Sequence, residues 1–217
     1  MKILQAQRRR GFTVVEWVVI AAVVVVVLAV GLRMAAISSS KCCKLGCENN
    51  LREFELSLRI WEGDNNDKYP MEVPVAMGGA QELIATGNVA GCFQVMSNEL
   101  SAPKILTCPE DRQHEYATNW NISRRNISYF IGLNATNSVL PVVLSGDANL
   151  RQNGQVVAAG KVNLWSNSVS WTRDRHHGLI FGVGNILLPD GSVQTVPRMG
   201  FTSSAGSWLV TNTVVVP

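Results

Sequence analysis

The sequence predicts an α+β chain in which a long N-terminal helix packs on a C-terminal antiparallel sheet. Three observations predict it. Residues 12–32 are almost unbroken apolar sequence, dominated by valine. Leu51, Phe54, Leu58 and Trp61 then recur at three- and four-residue steps, the period of one helix face. Beyond Pro70 the pattern changes to short β-branched and aromatic runs. These are separated by turn dipeptides such as Asn153-Gly154 and Asp190-Gly191.

The first eleven residues form a basic leader, with Lys2, Arg8, Arg9 and Arg10 and no acid. Residues 12–33 follow as the membrane segment. The run from Phe12 to Leu32 is about 21 residues, or roughly 31 Å as a helix, which is enough to cross a hydrocarbon core. Because the leader charges sit on its N-terminal side, the positive-inside rule keeps that end in the cytoplasm and exports the rest. An ordinary secretory signal has an apolar core of about 7–15 residues, shorter than this one. A plain signal anchor fits the hydropathy but gives no reason for Glu16. An ionisable group at that depth costs several kcal/mol unless protonated or paired, and marks a functional position by default.

Residues 34–62 predict an exported amphipathic continuation of the helix. Glu48 with Arg52, and Glu55 with Arg59, form i, i+4 pairs on its polar faces. Gly63 is the expected stop, and Asp64-Asn65-Asn66-Asp67 is turn chemistry. Residues 63–217 then form one α+β domain large enough for its own core. Within it the expectations are a short helix over 81–86 and strands over 104–107, 127–132, 139–145 and 208–216. Two hairpins are expected, one at Asn153-Gly154 and one at Asp190-Gly191.

Arg8-Arg9-Arg10-Gly11-Phe12-Thr13-Val14-Val15-Glu16, running into an apolar helix, resembles the class III signal of type IV pilins and type II secretion pseudopilins. The resemblance implies that a prepilin peptidase cuts between Gly11 and Phe12 and methylates the new amine on Phe12. It makes Glu16 the fifth mature residue, facing the N-terminal amine of a neighbouring subunit. The implied partners are this peptidase, other pilin or pseudopilin subunits and an inner-membrane assembly platform. The implied location is the bacterial inner membrane, with a periplasmic C-terminal domain and an extracytoplasmic filament after assembly.

A second set of residues resembles a group of bacterial pseudopilin-like proteins. It comprises Asn49-Asn50-Leu51-Arg52, Gly63 to Pro70, and Cys108-Pro109-Glu110-Asp111. In that group a histidine precedes Asp-Gly by nine residues. Here His177 precedes Asp190-Gly191 with twelve residues between them.

Charge argues against one function class. Taking the leader's four basic residues from the formal net charge of +3 leaves −1, so the mature chain gives no warrant for nucleic-acid binding. The remaining basic clusters, Arg124-Arg125 and Arg173 to His177, are expected on solvated faces. Of the five cysteines, Cys92 and Cys108 are the expected disulfide. Cys42, Cys43 and Cys47 lack metal-ligand spacing, so no zinc site is expected there.

His176, His177, Asp174 and Asp190 are the candidate catalytic or metal cluster, and the bland reading is a histidine beside a hairpin turn. Asp64 and Asp67 are candidate calcium ligands, although an Asx turn explains them equally. No other cofactor is expected. The expectation is therefore a structural subunit and not an enzyme. The alternative is a membrane-anchored exported binding or enzymatic domain using the His176, His177 and Asp190 region.

Overall fold

In a computed structural model, the structure describes residues 13–133, 142–164, 169–176, 182–199 and 213–217, with the backbone alone at 35–44 and 198–199. Gly11 and Phe12, the expected processing site, lie outside the described residues, and so does His177. The chain divides into two compact units, Met1–Lys41 and Cys42–Pro217.

Helix α1 is Val14–Asp64. Its first part holds Val14–Met34, long and apolar enough to cross a membrane and buried nowhere in the protein. The helix opens on a capping box. The Thr13 N–H and hydroxyl donate to Glu16 Oε2 at 2.6 and 2.9 Å, and the Glu16 N–H donates to Thr13 Oγ1 at 3.3 Å. Glu16 and Thr13 thus each satisfy one backbone donor that no helical carbonyl can reach.

The second part of α1 buries one stripe: Cys47, Leu51, Phe54, Leu58 and Trp61 are at most 5 % exposed. Gly63 lies inside the helix and does not end it. Termination falls instead to Asn66 and Asp67, both at φ 57°, with the Asp67 N–H returning to the Glu62 carbonyl at 3.1 Å. Asparagine and aspartate tolerate this left-handed geometry better than most residues, and so the turn forms without glycine.

Short helices α2 (Gln81–Ala85) and α3 (Val89–Val95) follow, the first as expected and the second not foreseen. The segment expected as a strand near 104–107 is a 3₁₀ turn, Pro103–Leu106, because Pro103 opens it and fixes a helical φ.

The strands are β1 (Tyr129–Gly132), β2 (Ser145–Asp147), β3 (Leu150–Gln152), β4 (Gln155–Val156), β5 (Gly160–Asn163), β6 (Val169–Trp171), β7 (Gly184–Leu187), β8 (Val193–Val196), β9 (Arg198–Met199) and β10 (Thr213–Val216). Six of them form an antiparallel sheet in the order β5-β10-β1-β2-β7-β8, and the other four form a sheet in the order β4-β3-β6-β9. Asn153 and Gly154, at φ 51° and 82°, make the expected two-residue turn between β3 and β4.

The larger sheet is buried on both faces, because strand side chains alternate. On β1, Tyr129 and Ile131 join the core made by α1, α2 and α3, while Phe130 joins a second core with Leu150, Val169 and Trp171 of the smaller sheet. On β10, Val215 faces the first core, and Val214 and Val216 face the second. The domain therefore has three layers: helices, a six-stranded sheet and a four-stranded sheet. The expected fold class stands as a mixed α+β chain with an apolar N-terminal helix and a C-terminal antiparallel sheet; the third layer was not foreseen.

Candidate functional site

The chemistry-bearing residues converge where the loop after the Pro103–Leu106 turn meets the end of β6. Cys108, Glu110, Asp111 and His114 come from the loop, and Arg175 and His176 from the chain that leaves β6. Asp147 comes from the end of β2 and Asn185 from β7. In sequence these are two separate motifs, Cys108-Pro109-Glu110-Asp111 and Arg175-His176; the fold places them in contact.

Two carboxylates organise the site. Asp111 is buried, and its Oδ2 accepts from the Ser128 hydroxyl and from His114 Nδ1, each at 2.6 Å, and pairs with the Arg175 guanidinium. Its Oδ1 accepts the Gln113 N–H at 2.9 Å. Burial alone would raise the pKa of Asp111. The His114 hydrogen bond, the Arg175 charge and the Ser128 hydroxyl outweigh burial and bring the pKa down to about 2.

Asp147 is fully buried. Its Oδ2 accepts the Asn185 N–H at 2.6 Å and lies 3.0 Å from His176 Nε2. Its Oδ1 has no hydrogen-bond partner among the described residues.

His176 stands between Asp147 and Glu110. Its backbone N–H donates to Glu110 Oε2, and its Nδ1 lies 3.2 Å from the same oxygen. That Nδ1 contact is close enough for an ion pair but lacks hydrogen-bond geometry. Burial disfavours the imidazolium, but the hydrogen bond and charge of Asp147, with the charge of Glu110, overcome it and raise the pKa of His176. The residue is 3 % exposed and sits at φ 48°, an uncommon backbone for a non-glycine residue that its surroundings hold in place.

Against this core of the site lies a disulfide, Cys47–Cys108, which ties α1 to the loop across 61 residues. The expected Cys92–Cys108 pair is not formed. Cys92 is a free, buried thiol on α3 whose pKa burial pushes up to about 12, which makes it unreactive. Short sequence separation favours the Cys92 pairing only slightly, because loop-closure cost grows slowly with length. Alignment of the partners decides instead, and the Cα atoms of Cys47 and Cys108 are 5.1 Å apart.

The candidate His–Asp190 pairing is likewise replaced. Asp190 is exposed in the β7–β8 turn, where its Oδ1 accepts the Ser192 N–H at 2.9 Å and the Ser192 hydroxyl at 2.6 Å. These bonds lower the pKa of Asp190. Gly191, at φ 82°, completes the turn, and Arg59 of α1 donates to the adjacent Pro189 carbonyl. Asp174 accepts from Thr172 and, at 3.1 Å, from Gln113 Nε2. Arg175 and His176 are buried in ion pairs, which corrects the expectation of a solvated basic run there. Arg124 and Arg125 are exposed as expected.

Asp64 and Asp67, the candidate calcium ligands, are exposed at the end of α1, and between them Asn65 donates to the Trp61 carbonyl at 2.8 Å. Among the described residues, the side chains grouped closely enough to hold a metal ion are Cys47, Cys108 and His176. Cys42 and Cys43 lie where only the backbone is described.

Nothing in the sequence singles out Asp147, Asn185 or His114. Asp147 falls just beyond the strand expected over 139–145, yet Ser145–Asp147 is a fully buried strand. The signal that was present lay in Cys108-Pro109-Glu110-Asp111, where two acids directly follow a cysteine. Comparison with family models, curated proteins and solved structures gave no match to this chain.

Proposed function

We propose that this chain is a prepilin-like structural subunit, cut by a prepilin peptidase between Gly11 and Phe12 and methylated at Phe12. It then assembles through its N-terminal helix into a type II secretion pseudopilus or a type IV pilus-like filament. In this reading the leader end stays cytoplasmic and the α+β domain stands in the periplasm until assembly.

One observation carries the proposal. Within α1, Val14–Met34 is apolar and unburied, and the only carboxylate it contains is Glu16. A lone subunit cannot cover that surface; lipid or neighbouring helices can. The capping box adds a local role for Glu16 in the isolated chain, since Thr13 holds its carboxylate at the N-terminal end of the helix. Cleavage after Gly11 would leave the new amine one residue from Thr13. In a filament the same carboxylate would then face the amine of a neighbour, so that two charges costly in lipid become tolerable together.

The buried His176 and the turn-bound Asp190 support a structural role over the enzymatic alternative. Of the histidine–aspartate pair expected from the sequence, His176 is buried and Asp190 lies in a separate turn.

The test is intact mass and N-terminal sequencing of protein from host membranes. Loss of residues 1–11 with an N-methylated Phe12 is expected, and an intact Met1 overturns the reading. A second arm compares Glu16→Gln with Glu16→Ala. Both should insert and be cleaved, and both should lose at least tenfold in filament incorporation if the charge matters. Normal assembly of Glu16→Gln assigns Glu16 to helix capping alone.

A further inference from the structure

A disulfide between α1 and a loop needs only two aligned cysteines. Around Cys47–Cys108 the fold places far more. Cys108 Sγ lies 3.9 Å from His176 Nε2, and the ligand atoms of Cys47, Cys108 and His176 fall within 4.8 Å of one another. His176 Nε2 is also 3.0 Å from the fully buried Asp147 carboxylate, whose Oδ1 has no partner among the described residues. Burying such a cluster costs several kcal/mol per ion before any pairing is counted. An orphaned carboxylate oxygen adds the desolvation cost of an unmade bond. Nothing about holding two sulfurs together requires this expense.

Two thiolates and an imidazole, with a fourth position left to water, are instead a ligand set suited to zinc. Zinc takes four ligands at about 2.3 Å for sulfur and about 2.0–2.2 Å for nitrogen or oxygen. We propose that, while Cys47 and Cys108 are thiols, this domain binds one zinc-class cation through Cys47 Sγ, Cys108 Sγ and His176 Nε2, with water in the fourth position.

The surrounding bonds fit that assignment. Asp147 Oδ2 keeps the Asn185 N–H at 2.6 Å, which leaves Oδ1, without a partner among the described residues, to accept from a metal-bound water. A metal-bound histidine gives its other N–H to a carboxylate that fixes the ring, and Glu110 Oε2, 3.2 Å from Nδ1, needs only a small reorientation to accept it. Small rotations of the cysteine side chains must separate the bonded sulfurs, by roughly 1.5 Å if they are to take neighbouring corners of a tetrahedron.

The chemistry balances in both directions. The chain is synthesised with both cysteines as thiols. On metal binding the two thiols lose two protons to solvent, and any proton on Nε2 leaves with them. In the alternative fate two electrons and two protons pass to a disulfide-bearing oxidant, which becomes a dithiol as the Cys47–Cys108 bond forms. The connection between α1 and the loop thus exists in two forms, metal-bridged and covalent.

The full chain in detergent, reduced with dithiothreitol and desalted under argon, would be titrated with Co(II) and then Zn(II). One equivalent of Co(II) should give the thiolate charge-transfer band and the intense visible bands of a tetrahedral site, and Zn(II) should bleach them. The oxidised chain, Cys47→Ser and Cys108→Ser should give no such band, whereas Cys92→Ser should match the wild type. Glu110→Gln should bind 10–100-fold more weakly, as loss of a ligand-orienting partner does. Absence of the band in the reduced wild type overturns the proposal, as does its survival in Cys108→Ser, which would assign the metal to Cys42 and Cys43. Circular dichroism covers the remaining case. A reduced chain that refolds on adding Zn(II) supports the site, and one that stays unfolded with or without it overturns the site.

Discussion

The two parts of helix α1 share a backbone and differ in what surrounds their side chains. In Val14–Met34 the apolar residues are exposed all round the helix, Val14 at 80 % and Trp17 at 62 %. In the part after Cys42 only one stripe is apolar and buried, with Phe54 packed against Phe93 of α3 at a ring-centroid separation of 5.0 Å. A helix that is apolar on every side has no preferred face and depends on what surrounds it, whether lipid or other helices. A striped helix carries its own instruction for docking. The carboxylates follow the same division. Among the described residues Glu16 has only local partners, whereas Asp111 and Asp147 are held by tertiary ones. The difference teaches that the first part depends on surroundings outside the domain and the second on the domain's own core, and that each should fail differently when altered.

Phe54→Ala gives the largest expected effect. Removing a buried ring costs about 3–5 kcal/mol, so urea unfolding of the domain in detergent should shift strongly to lower midpoint. Val24→Ala, on the unburied part, should leave that midpoint in place. Equal shifts in the two variants would break the comparison.

The disulfide sharpens it next. Closing a 61-residue separation in the unfolded chain is worth up to about 4 kcal/mol by chain entropy. Cys47→Ser in metal-free buffer should therefore approach Phe54→Ala in its loss of stability. Cys92→Ser removes no cross-link, and the expected cost is about 1 kcal/mol for placing a hydroxyl in a buried apolar site. If the two serine variants lose the same stability, the covalent tie between α1 and the loop contributes nothing.

What the sequence disclosed follows the same line. Local patterns were legible: the apolar run, the stripe from Leu51 to Trp61, and the turns at Asn153-Gly154 and Asp190-Gly191. What depended on distant partners was not. Cys47 sits 45 residues before Cys92 and looked like one of a helical trio, so its bond to Cys108 could not be read from spacing. The burial of the second sheet face was hidden because β1 reads as continuous apolar sequence, Tyr129-Phe130-Ile131, with no polar residue to mark an outer side. The site was half legible. His176 stood out, but its partners Asp147 and Glu110 lie on other elements, and Asp190, the acid nearest to hand in the motif, belongs to a turn.

The smallest effect tests the buried carboxylates by pH. The pKa of Asp111 is about 2 in the folded protein, against an ordinary value of 3.8, so the folded state prefers its charged form. A depressed carboxylate contributes stability that is fully present well above the ordinary value and is lost as pH falls through the folded one. The window is therefore from about pH 5 down to about pH 2, and the contribution is about 2 kcal/mol. Unfolding midpoints of the wild type should fall across that window. Asp111→Asn should start lower at pH 7, because Arg175 loses its ion-pair partner, and should fall less steeply on acidification. Glu16→Gln should leave the whole profile unchanged, since among the described residues Glu16 bonds to Thr13 at the head of α1 and not to the domain core. A profile that flattens in Glu16→Gln and not in Asp111→Asn would reverse the assignment of which carboxylate serves the fold.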